Sequence, residues 1–276
     1  MKKSGFTLAE VLITLGIIGV VAALTMPTLV QQSQNRANVS KLLSTVQTVE
    51  TALGMAIEKE RADDIFGTSM YRNNIPNEQQ ELPTQEQLDV FIGHLKQYLS
   101  ISNYARQSMH AYYGDHNVDK IYYMNNTTGE RGNEWEASDS TNNAFPIELR
   151  NGAVMFWRVY GYDNSEESNR ESVVTPEGGS LWIKAGEVMI DVNGANAPNI
   201  LGRDIFSFYL GQDGILYPSG GLDFCLYESN GTSKTDIWTD AGNNNIYACT
   251  DGAFGIANNA GSGCTARVLQ TGKMDY

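Results

Sequence analysis

Apolar positions dominate the start of the chain. From Val11 to Val30 they run almost unbroken for about 20 residues, enough to cross a bilayer as a helix. Lys2, Lys3 and a Ser4-Gly5 pair precede this run, and one carboxylate, Glu10, lies in its first turn. Beyond Val30 the pattern changes. Val39, Leu42, Leu43, Val46, Val49, Leu53, Ala56 and Ile57 recur at steps of three and four, which draws one apolar stripe down a helix. Gln31 to Arg36 fill the other face with polar groups. Together these segments predict one helix from about Thr7 to about Arg61, roughly 80 Å long at the α-helical rise. Pro27 is expected to kink or locally melt it, because proline removes a backbone donor and crowds the preceding turn.

The remainder alternates loop, helix and strand. Residues 62–83 are polar and read as a loop. Thr84 is a suitable N-cap for a second helix, with Glu86 and Gln87 in its first turn. Leu88, Phe91, Ile92, Leu95 and Leu99 mark its buried face. Residues 102–141, rich in Asn, Asp, Gly and Tyr, read as irregular with a strand at 120–124. Two hairpins follow: 145–149 with 153–160 around Arg150-Asn151-Gly152, and 205–210 with 215–217 around Gln212-Asp213-Gly214. Residues 181–184 and 188–192 read as two short strands or one bent around Gly186. Residues 266–276 read as a last strand with a polar tip. The fold class is α+β: a long N-terminal helix from membrane to head, packed on an antiparallel sheet, with a loop-rich C-terminal region.

Glu10 is the anomaly in the apolar run. A carboxylate within a membrane helix costs roughly 3 kcal/mol even on lenient insertion scales. It needs a cation, and a free amino terminus created just before Phe6 would supply one. The segment Lys3-Ser4-Gly5-Phe6-Thr7-Leu8-Ala9-Glu10 resembles the cleavage and methylation site of type IV pilins and type II secretion pseudopilins. The resemblance continues through the apolar run to Pro27, where pilins commonly carry a kinking proline. It implies cleavage by prepilin peptidase between Gly5 and Phe6, N-methylation of Phe6, and an assembly role for Glu10. An ordinary signal peptide would instead have a short apolar core followed by a small-residue cleavage site; Ala22-Ala23-Leu24 is a weak version of one. The resulting organisation is a leader at 1–5, a transmembrane and assembly helix at 6–30, its amphipathic continuation at 31–61, and a head at 62–276.

Charge narrows the partners. The formal net charge is −13, and losing Lys2 and Lys3 with the leader makes it −15. Such a head repels phosphates, so general nucleic-acid binding is not expected. Lys2 and Lys3 place the N-terminus in the cytoplasm and the head outside the inner membrane. Three cysteines, Cys225, Cys249 and Cys264, lie in the last quarter. They allow three pairings and leave one thiol over. The favoured pair is Cys249 with Cys264, which encloses a Gly/Asn-rich loop with little apolar content of its own. Closing about 15 residues contributes around 3 kcal/mol in the chain-entropy model. Pilins often staple a C-terminal loop in this way.

The head offers little that reads as catalysis. Asp191 and Asn193 have the spacing of the first ligands of a calcium loop, and Asp204 adds a carboxylate further on. The closing glutamate of an EF-hand is missing, and side-chain-to-backbone turns explain the same residues. Asp163 to Glu167 form a second acidic cluster, read as a solvated hairpin tip. His94, His110 and His116 accompany no nucleophile elbow, metalloprotease helix or phosphate loop. The expectation is therefore a non-enzymatic protein without a required cofactor. Its partners are prepilin peptidase, like or related pilin subunits, an inner-membrane assembly platform and lipid. The alternative is a minor tip pilin whose head binds a surface, a sugar or DNA.

Overall fold

One helix, α1 (Leu8–Glu60), carries the chain out of its apolar start. The computed structural model describes residues 7–71, 82–118, 120–124, 131–134, 143–159, 172–174, 180–219, 225–227, 233–234, 249, 261 and 264–274. Contacts divide the chain into two units, Met1–Ala37 and Asn38–Tyr276.

In the first unit α1 runs helically through Pro27, so the expected local melting does not occur. No residue of its most apolar window is buried. The polar side chains from Thr7 to Val30 are all bonded within the helix itself. Thr14 Oγ1 donates to the carbonyls of Glu10 (2.9 Å) and Val11 (3.0 Å), Thr25 Oγ1 to Val21 (2.9 Å), and Thr28 Oγ1 to Thr25 (2.9 Å). Thr7 and Glu10 bond each other. A helix so arranged shows its surroundings almost only carbon, as lipid requires.

In the second unit the same helix uses its stripe differently. Val39, Leu42, Val46, Val49, Leu53 and Ala56 are buried, with Thr45 and Ala52 between them. Leu43, counted in the stripe from its spacing, lies outside it and is 40% exposed. Three polar side chains on α1 are bonded to the turns of the sheet. Asn38 Nδ2 donates to the Arg203 carbonyl (3.3 Å), Thr45 Oγ1 accepts from Asn151 Nδ2 (3.0 Å), and Glu50 Oε1 accepts from the Leu216 amide (3.0 Å).

The remaining elements are α2 (Gln85–Leu95), β1 (Ile101–Tyr104), α3 (Met109–Asp115), β2 (Tyr122–Met124), β3 (Arg131–Glu134), β4 (Phe145–Leu149), β5 (Val154–Val159), β6 (Ser172–Val174), β7 (Ser180–Asp191), β8 (Ile205–Gly211), β9 (Leu216–Pro218), β10 (Cys225–Tyr227), β11 (Ser233–Lys234) and α4 (Cys264–Thr271). Among the described residues the main sheet is antiparallel in the order β1-β4-β5-β7-β6-β10-β11, with β8 and β9 branching from β7. β2 and β3 pair separately. A capping box starts α2: Thr84 Oγ1 accepts from the Gln87 amide and Gln87 Oε1 from the Thr84 amide.

β5 shows why the sheet is buried on both faces. Met155 and Trp157 join the cluster that holds the α1 stripe and Phe91. Val154 and Phe156, pointing the other way, join Met109, Tyr112 and Tyr113 of α3. Phe91 packs edge-on against Tyr71, Phe145 and Trp157, at 5.4 to 6.1 Å between ring centroids.

Several expectations need correction. Residues 102–115 are not irregular: β1 is the sheet edge and α3 covers its second face. Met109, Tyr112 and Tyr113 stand at helical spacing behind the N-cap Ser108. Loop 62–71 is not merely polar, since Ile65, Met70 and Tyr71 enter the core. Strand β7 is one element, irregular in register between Lys184 and Gly186. Residues 264–271 form helix α4 rather than a strand. Thr265 and Val268 lie three apart, a helical spacing, and are buried with Ala266. A disulfide joins Cys249 to Cys264, the first residue of α4. Cys225 lies on β10, and its side chain is outside the described residues, as are Asp163 to Glu167.

Gly186 on β7 lies opposite Val159 in the antiparallel pairing with β5. A Cβ there would stand 2.5 Å from the Arg158 carbonyl oxygen, so one of the two strands must move to admit it. Gly186→Ala is expected to destabilise the head by about 2–3 kcal/mol, read as a lower urea midpoint of the full chain in detergent.

Candidate functional site

The helix start is the first candidate. Thr7 precedes the first helical residue, and Glu10 stands three positions on. Glu10 Oε2 accepts from the Thr7 amide (2.7 Å) and from Thr7 Oγ1 (2.9 Å), while the Glu10 amide donates back to Thr7 Oγ1 (3.3 Å). This is a capping box, in which the cap and the third helical residue satisfy each other's backbone donors. The Thr-x-x-Glu spacing announced it, but attention to the charge of Glu10 hid its capping role. Gly5 and Phe6 lie outside the described residues.

The second candidate is the turn between β7 and β8, which brings Asp191, Asn193 and Asp204 together. Asp191 and Asp204 are fully buried. Asp191 Oδ2 accepts from Tyr113 Oη at 2.6 Å, and its Oδ1 accepts from the Asn193 amide at 3.1 Å. Asp204 Oδ1 accepts from the Ile200 amide (2.7 Å). Its Oδ2 accepts from the Asn199 amide (2.8 Å) and Asn193 Nδ2 (3.3 Å). Every carboxylate oxygen thus faces an N–H or O–H donor. A cation cage needs oxygens free to face the ion; the carboxylate oxygens here already take donors, while Asn193 Oδ1 and Asn199 Oδ1 are buried with no hydrogen-bond partner among the described residues. Among the described residues no group of three or more His, Cys, Asp or Glu side chains is placed to hold a metal ion. What the arrangement does is fold the loop: two carboxylates replace the backbone acceptors that residues 193, 199 and 200 lack. Tyr113 was missing from the sequence reading, because only the fold brings α3 beneath this turn.

Burial sets the electrostatics here. Loss of solvent, and then the neighbouring Asp204 charge, pushes the Asp191 carboxyl well above the ordinary range. Burial lifts Asp204 to about 6, against the pull of the Ile200 and Asn199 amides. Burial and the Asp191 charge likewise push the Tyr113 phenol well above its ordinary value.

His94 Nδ1 lies 2.9 Å from Ser69 Oγ, and that hydroxyl donates to Glu60 Oε1 at 2.7 Å. A nucleophilic serine hands its proton to histidine, whereas this one is committed to the glutamate. The Ser69 amide also donates to Glu60 Oε2 (2.6 Å), so the trio ties the end of α1 to α2. His110 is exposed, and His116 stacks on Tyr112 with ring centroids 4.2 Å apart.

Comparison with known families adds one match. Residues 1–26 match the model of the prokaryotic N-terminal methylation motif. This motif of type IV pilins and type II secretion pseudopilins takes in the Thr7–Glu10 capping box and most of the apolar stretch, and ends before Pro27. No curated protein and no solved structure matches the chain.

Two outcomes follow for the buried turn. Both aspartates hold a proton more firmly in the folded chain than in the unfolded one. Stability is therefore fullest at low pH and falls as pH rises from the ordinary 3.8 through about 6. For Asp204 the full change is about 3 kcal/mol, roughly half of it between pH 5 and pH 7.5, and thermal melts at those two pH values should show the higher midpoint at pH 5. Millimolar calcium should move the midpoint by less than about 1 °C. A rise of several degrees reversed by EDTA would make the turn a cation site after all.

Proposed function

We propose that this chain is a structural subunit of a type IV pilus-like or type II secretion pseudopilus filament. Prepilin peptidase cuts it between Gly5 and Phe6, and Phe6 is N-methylated. The observation that carries this reading is the methylation motif at residues 1–26, continuous with an apolar helix whose most apolar window is wholly unburied. Before assembly the helix anchors the subunit in the inner membrane. Lys2 and Lys3 hold the N-terminus in the cytoplasm, and the head lies on the other side. In the filament the apolar helices of like or related subunits cover one another, after extraction by an inner-membrane assembly platform.

Glu10 has two duties in this scheme. Its Oε2 closes the capping box with Thr7. Thr7 keeps its amide after cleavage, so the box survives processing. Its Oε1 is left to meet the amine of Phe6, on the same subunit or on a neighbour. Such a pair offsets the cost of an isolated charge in apolar surroundings. Between subunits it also fixes axial register. A head-to-tail contact of this kind does not close on itself, so it builds a filament rather than a ring. Pro27 removes one backbone hydrogen bond from the anchor and marks where the helix bends most easily.

Intact-mass and terminal-peptide mass spectrometry of chain recovered from membranes should show N-methylated Phe6 as its first residue. A chain still starting at Met1, or cut near Ala23, would sink the proposal. Glu10→Val should insert normally yet lower filament yield by about tenfold or more; wild-type yield would remove the pairing role.

A further inference from the structure

We draw no further inference here: the strongest candidate, the outward face of α1 between Ser40 and Met55, where no exposed residue is charged, Leu43 and Met55 stand exposed and Gly54 has no neighbour that a Cβ would meet, is a stripe of small and neutral side chains, and nothing in the structure shows what covers it.

Discussion

A single helix has to satisfy two solvents, and the rest of the structure follows from that. Over its first part α1 meets surroundings that offer no hydrogen bonds, so every polar group must find its partner within the helix. The threonines do this by turning back onto carbonyls three or four residues earlier, and Glu10 by closing the capping box with Thr7. Over its later part the same helix carries polar groups whose partners lie on the sheet. Asn38, Thr45 and Glu50 bind three separate turns. Buried apolar area makes the helix stick, but these three bonds decide where along the helix the sheet sits. A slip of one turn would leave all three turns unpartnered, and a buried unpartnered group costs about 1–3 kcal/mol.

The sheet meets a similar demand on its other face. Its central strands are buried on both sides, which in α+β proteins calls for a second layer. That layer is short: α3, the β7–β8 turn and the residues around them. Turns that are buried cannot leave their amides to water. Asp191 and Asp204 supply the missing acceptors, and Tyr113 anchors the arrangement to α3. Carboxylates accept strongly but lose solvation on burial, so the same two residues that order the turn also make the head sensitive to pH. The disulfide between Cys249 and Cys264 fastens the C-terminal helix in the same region. Gly202, at φ +83°, lets that helix approach: a Cβ there would lie 2.9 Å from the Cβ of Cys264.

How much of this could be read in the sequence depended on how local each cause was. Helix α1, the capping box of α2 and both hairpins rest on spacing and turn chemistry within a few residues, and their residues show it. The N-terminal methylation motif is local too, since it lies within residues 1–26. Helix α3 was hidden by its own tyrosines: Tyr112 and Tyr113 look like strand or loop residues until Met109 and the N-cap Ser108 are read with them. Helix α4 was hidden because Ala266 and Val268 fit a period of two as well as a helix face, and only the packing against β8 and β9 chooses between them. The Asp191 turn was legible as a cluster of oxygens but not as a network. Its decisive partner, Tyr113, is 78 residues away, and spacing carries no information over that distance. For the same reason Leu43 passed for a core residue, because its side of the helix is settled by what covers the neighbouring turn.

Charge links the two ends of the molecule's chemistry. A strongly negative surface repels anionic lipid and phosphate polymers. That same field raises the cost of admitting any anion.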